Sequence, residues 1–120
     1  MQLSLLKCKI HRATITVCDL DYEGSISIDA ELLAKAGLLP YERVDVLNID
    51  NGERLTTYVI KAPKGSGEIG LNGAAARRAM KGDRVIIVAY CQMEAEQAAR
   101  HEPVVLLMNK DNKVEKIIRE

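Results

Sequence analysis

The chain has 120 residues, 48% of them hydrophobic, with four Tyr and neither Phe nor Trp, which describes one domain with an aliphatic core. Seventeen Lys and Arg balance seventeen Asp and Glu. The cationic excess that neutralises phosphates in nucleic-acid binders is therefore missing, and no apolar run reaches membrane-spanning length. Neither a nucleic-acid nor a membrane partner is expected.

The segment Met1 to Lys7 lacks the apolar stretch and cleavage site of a signal peptide. Cys8, Cys18 and Cys91 show no CxxC spacing. Both features fit a reducing, cytoplasmic setting with free thiols. His11 and His101 lie far apart in sequence, so no metal site is expected.

Residues 12–18, Arg-Ala-Thr-Ile-Thr-Val-Cys, are β-branched and partly alternating, which predicts a strand. Ser25 to Ile28 is a second, short extended piece. Asp29 then caps a helix through Ala36, with Glu31 in its first turn, Leu32 and Leu33 on its apolar face and Gly37 at its end. Residues 43–50 and 54–61 read as paired strands around Asn51-Gly52. That dipeptide signals a type I′ turn, which needs positive φ at both central residues.

Pro63 to Gly67 is a loop, and residues 68–71 form a short strand. Asn72 caps an Ala-rich helix ending near Gly82. Residues 84–91 are continuously apolar, as in a central strand buried on both faces. A polar helical segment covers 94–101. Tail strands at 104–108 and 114–118 flank a turn from Asn109 to Asn112. Many short strands with short helices predict a mainly β domain, a small β-barrel.

Four motifs stand out within this frame. Gly24-Ser25 alone reads as a turn, as Gly65-Ser66-Gly67 does. A serine after glycine also suits backbone self-cleavage. Glycine leaves its carbonyl open to the hydroxyl and tolerates a strained backbone. Lys9, His11 and Arg12 form a basic cluster that alone reads as a solvated strand edge.

Arg54, Thr57 and Tyr58 alone read as an amphipathic strand. By alternation Arg54 and Tyr58 share one face and Thr57 the other. If all three serve one site, the strand lies at its rim or two chains contribute. Asn72-Gly73-Ala74-Ala75-Ala76 reads either as a capped helix of good formers or as small residues exposing backbone N–H groups to a carboxylate.

Together the motifs Lys9-x-His11-Arg12, Tyr22-x-Gly24-Ser25, Asn51-Gly52-Glu53-Arg54 with Thr57-Tyr58, and Asn72-Gly73-Ala74-Ala75-Ala76 resemble those of the pyruvoyl-dependent L-aspartate α-decarboxylases. The resemblance is close over residues 9–92 and extends over 1–108. It implies a six-stranded double-ψ β-barrel in a single domain, 1–120. It also implies autocatalytic cleavage between Gly24 and Ser25 into a β chain, 1–24, and an α chain, 25–120.

Ser25 would become a covalent pyruvoyl cofactor, whose ketone forms an imine (a Schiff base) with the substrate amine. Tyr58 would be the proton donor. Lys9, Arg54, Thr57, Asn72, Gly73, Ala74 and Ala75 would bind L-aspartate. His11 and Tyr22 would support the site or its maturation. Arg12, Tyr41 and Tyr90 read as structural, and Leu47 stands where some members have an aromatic residue.

The implied product is β-alanine, for pantothenate and coenzyme A synthesis. The implied assembly is a homotetramer with active sites between subunits. Whether maturation needs a helper protein is left open by the sequence. Two rivals remain at this stage. One is a non-catalytic swapped-hairpin DNA-binding barrel, which the balanced charge opposes. The other is a homologue that never matures.

Overall fold

The computed structural model describes residues 1–119, and nine strands make up most of its regular structure. They are β1 (Gln2–Thr14), β2 (Val17–Asp19), β3 (Ser25–Asp29), β4 (Arg43–Asn48), β5 (Arg54–Ala62), β6 (Ile69–Asn72), β7 (Arg84–Glu94), β8 (Val104–Met108) and β9 (Val114–Arg119). All join one sheet in the order β2-β6-β3-β5-β4-β7-β1-β8-β9. Helices α1 (Ala30–Ala36) and α2 (Ala95–Ala98) and a 3₁₀ segment (Gly73–Arg78) are the only helical pieces among the described residues. The class is the expected one, mainly β with short helices.

The sheet cannot lie flat. β1 and β2 are seventh and first in its order, yet only Ile15 and Thr16 separate them in sequence. Six strand spacings would span about 29 Å, while a two-residue link reaches only about 10 Å. The sheet therefore curls on itself. Thr16 N–H donates to Ile69 O at 2.8 Å, and Ile15 N–H donates to Asp83 O at 2.8 Å, stitching this link to β6 and to the entry of β7. The strand count exceeds six because the three-residue β2 and the tail pair β8–β9 join the other six.

The curl encloses an aliphatic core. Ile10, Ile26, Val46, Val59, Leu71 and Ile87 are all essentially inaccessible, and no tyrosine is among the buried residues. Tyr41 and Tyr90 are exposed, so their structural reading cannot mean core packing. α1 forms as its sequence dictates. Asp29 Oδ1 accepts from Glu31 N–H at 2.9 Å, and Gly37 closes the helix in the left-handed region.

Four local expectations need correction. The strand expected at 12–18 starts instead at Gln2 and breaks at Ile15–Thr16, because β7 pairs with the whole of 2–14. Two bulges absorb irregularities in that ladder, and at the second Arg12 takes φ 68°. The Asn51-Gly52 turn is not type I′, since Gly52 alone of the pair has positive φ. β4 ends at Asn48, whose Oδ1 accepts from Asp50 N–H at 2.9 Å and organises a longer loop.

The Ala-rich helix is a 3₁₀ segment that stops at Arg78, and Asn72 makes no capping bond. The polar helix of 94–101 shortens to one turn, α2. β7 is the expected central strand, lying between β1 and β4. It is buried on both faces only around Ile87 to Ala89.

Candidate active site

Ser25 opens β3, a strand paired on both edges and buried at every residue. Its side chain is wholly inaccessible, while Gly24 before it is exposed. Ser25 Oγ donates to Glu23 O at 3.2 Å and accepts from Asn72 Nδ2 at 3.0 Å. The same Nδ2 donates to Ser27 Oγ at 2.9 Å. Here lies the reason Asn72 caps nothing: its amide is committed to the two buried hydroxyls of β3. Ser25 and Asn72 are also direct partners across the β3–β6 ladder.

Gly73 has φ 62°, a conformation costly for any residue with a Cβ. A Cβ there would fall 2.7 Å from Gly24 N and 2.8 Å from both Gly24 Cα and Tyr22 O. The glycine thus lets residues 22–24 press against the start of the 3₁₀ segment. Tyr22 itself points largely to solvent, 54% exposed.

Beside Gly24 opens a cavity of about 320 Å³ lined by Leu55, Thr56 and Thr57 of β5 and by Ala74, Ala75 and Arg78. Small side chains and backbone dominate it, with one hydroxyl-bearing pair and one guanidinium. Sequence reasoning missed Arg78, whose Nη1 donates to Glu53 Oε2 at 2.6 Å. It also missed Ser27. The alternation Ser25-x-Ser27, which puts both hydroxyls on one strand face, was the available signal.

The other candidates lie elsewhere on the chain. Arg54 borders an adjoining depression with Asp45 and Leu47, and this depression shares Leu55 and Thr56 with the Gly24 cavity. Tyr58 is half-buried and faces Arg43 across the β4–β5 ladder. Lys9 and His11 sit on β1, four places from β3 in the sheet, between β7 and β8. None of these four side chains lines the Gly24 cavity.

His11 Nδ1 is buried without a hydrogen-bond partner. Burial, and then the charges of Lys9, Arg12 and Arg84, hold its imidazole below the ordinary pKa. A further cavity of similar volume, bordered by Ser4, Arg43, Tyr90 and Cys91 among others, contains none of the candidates.

Asp29 ends β3 as Ser25 begins it. Its carboxylate also accepts from Gly65 N–H and Gly67 N–H, each at 2.9 Å, tying loop 63–67 to the strand. Burial pushes this carboxyl up, but the N–H groups of Gly67, Glu31 and Gly65 outweigh it, and the pKa falls below the usual range. Burial drives the Cys8 thiol up to about 11, which leaves it a core group rather than a nucleophile. Among the described residues no group of three His, Cys, Asp or Glu converges as a metal site, and no helix is long and apolar enough to cross a membrane.

Comparison with known proteins bears on this arrangement. The family described as aspartate decarboxylase matches residues 1–115. The aspartate 1-decarboxylase of Maricaulis maris is 62% identical over 95% of this chain and 94% of its own length. That of Caulobacter vibrioides is 59% identical over 97% and 98%. Among solved structures, the rationally designed mkDPBB_sym_86 protein aligns with a TM-score of 0.49 at 17% identity, over 64% of this chain and 90% of its own.

Proposed function

This chain belongs to the aspartate decarboxylase family, and from that premise we propose how its own residues serve the reaction. The reaction removes the carboxylate at C1 of L-aspartate, giving β-alanine and carbon dioxide. The observation that carries the assignment of roles is the setting of Ser25. A fully buried hydroxyl, held by Asn72, adjoins an exposed glycine pressed against Gly73.

That setting suits self-cleavage. Ser25 Oγ attacks the Gly24 carbonyl carbon, the Gly24–Ser25 C–N bond breaks, and the hydroxyl proton passes to the departing amine. The resulting ester loses its Cα proton and its Cβ–O bond, which frees residues 1–24 as a carboxylate and leaves dehydroalanine at position 25. Water then replaces the nitrogen, which departs as ammonia. The ketone left behind is a pyruvoyl group. An all-buried β3 end, with hydrogen-bond donors on one side and an open cavity at Gly24, fits a small covalent group of this kind. Such a group captures a substrate amine and takes up the electrons released with carbon dioxide.

The remaining residues bind, orient and protonate. Thr57, Gly73, Ala74 and Ala75 bound the substrate with Asn72, and the small side chains admit it close to backbone. Arg54 and Lys9 grip the side-chain carboxylate, Arg54 through its planar fork. The α-carboxylate stays free of a cation, because pairing would oppose its departure. Tyr58 gives its phenolic proton to the α-carbon. His11 and Tyr22 support the site or its maturation.

Arg54, Tyr58 and Lys9 stand outside the Gly24 cavity of their own chain, which supports sites completed by a neighbouring subunit in a homotetramer. The setting is cytoplasmic, and the β-alanine feeds pantothenate and coenzyme A synthesis.

Intact mass of the denatured protein tests this directly. The expected result is two fragments, 1–24 and 25–120, the second lighter than a Ser-terminated chain by one ammonia. That protein then releases carbon dioxide from L-aspartate. A single uncut chain with no turnover overturns the reading.

A further inference from the structure

The cleavage scheme gives Ser27 no part, yet it is the second buried hydroxyl of β3, 6% exposed and on the same strand face as Ser25. Both hydroxyls accept from a single nitrogen, Asn72 Nδ2, at 3.0 and 2.9 Å. An amide nitrogen carries two hydrogens, so the pair consumes both. With one partner a side-chain amide is free to turn over and present Oδ1 instead. With two partners at fixed positions on a doubly paired strand its plane is set, and with the Ser25 proton given to Glu23 O its donor edge faces both hydroxyls.

Resting on the cleavage reading, we infer that Ser27 is a positioning residue for the Gly24–Ser25 cleavage, acting through the Asn72 amide. Ser27 holds the amide so that a donor faces Ser25 Oγ. Ser25 must then accept there, and its own proton is directed to Glu23 O at 3.2 Å. A reversed amide would take the Ser25 proton on Oδ1 and turn the hydroxyl away from that arrangement. Cleavage moves the Ser25 oxygen onto residue 24. Ser27 keeps its bond to one Asn72 N–H, and the N–H that met Ser25 is released into the site.

The test follows cleavage of the full chain over time by intact mass in Ser27→Ala and Ser27→Thr. One hydrogen bond's net worth predicts cleavage roughly fivefold slower for Ser27→Ala, and within about twofold of the unsubstituted rate for Ser27→Thr. Thr keeps the hydroxyl and adds a methyl at a position paired with Gly70, which has no side chain to meet it. Ser27→Thr therefore separates loss of the hydrogen bond from a change of side-chain volume. Ser27→Ala cutting at the unsubstituted rate, or Ser27→Thr as slow as Ser27→Ala, overturns the inference.

A second measurement needs no cleavage. In Ser25→Ala, the Asn72 side-chain amide proton bonded to Ser27 should exchange slowly by NMR, and adding Ser27→Ala should speed it by roughly fivefold or more. Equal exchange overturns the inference. An unsubstituted chain that never cuts overturns the cleavage reading and this inference with it. A chain that cuts normally but ignores Ser27 overturns this inference alone.

Discussion

The corner at Gly24–Ser25 and the basic stretch of β1 carry equally conspicuous motifs but are built in opposite ways. At the corner, β3 is paired on both edges, every side chain is buried, and Ser25, Ser27 and Asn72 satisfy one another. On β1, Lys9 and His11 are half-buried, and His11 Nδ1 is left without a partner. On the proposed reading, the contrast separates two chemistries. Cutting a peptide bond needs groups fixed against one another within a single chain. Binding a dicarboxylic amino acid needs charges still free to meet it.

Substitutions sharpen that separation. The largest effect is expected from Ser25→Ala, which removes the attacking oxygen. Intact mass should show one uncut chain and the aspartate assay no turnover; a cut variant breaks the scheme. Gly73→Ala comes next. It strains a φ of 62° and drives a Cβ against Gly24 N, so cleavage should slow by about tenfold or more at a left-handed cost of about 1–2 kcal/mol.

Tyr58→Phe should cut normally yet lose about 10²-fold in kcat, the lower range for a missing general acid. A normal kcat would remove Tyr58 from its role. Arg54→Gln should also cut normally while KM for aspartate rises about tenfold or more, the effect of losing a charged hydrogen bond. A cleavage defect in either of these two would mean that the two regions are not separable.

The smallest effect concerns stability and acid. Asp29→Asn should cost about 1–3 kcal/mol at neutral pH, since Asn cannot accept all three N–H bonds as a carboxylate does. Because the folded pKa of Asp29 is depressed, its contribution is complete above the ordinary carboxylate range and is lost as pH falls through the folded value. Denaturant titrations should therefore show the gap between the two proteins narrowing below about pH 4. A gap that widens in acid would reverse the sign argued here.

Local chemistry was legible wherever it had no competitor. Asp29 and Gly37 bound α1 as the sequence implies, because nothing else claims their caps. Asn72 was misread as a cap because its competitors, two buried hydroxyls, lie 45 and 47 residues away. The start of β1 was missed for a like reason: Gln2 to Ser4 are held as strand by β7, not by their own propensity. The candidate site residues stand out as motifs. Their grouping does not, since strand order puts Lys9 four places from Ser25 in the sheet.

The proposed cut falls at a telling place in the curled sheet. Residues 1–24 carry β1, inserted between β7 and β8, and β2, paired with β6. Severing the chain at Gly24 leaves those ladders intact, so the fragment stays docked as a subunit in all but covalent continuity. The molecularity of refolding changes, however. The uncut chain keeps β1 and β2 tethered to the rest, whereas the cut protein, once denatured, must find its missing piece by diffusion, at a rate that falls with dilution. Such a cut would be a one-way record that folding came first, and gentle denaturation of the cut form should become harder to reverse as the protein is diluted.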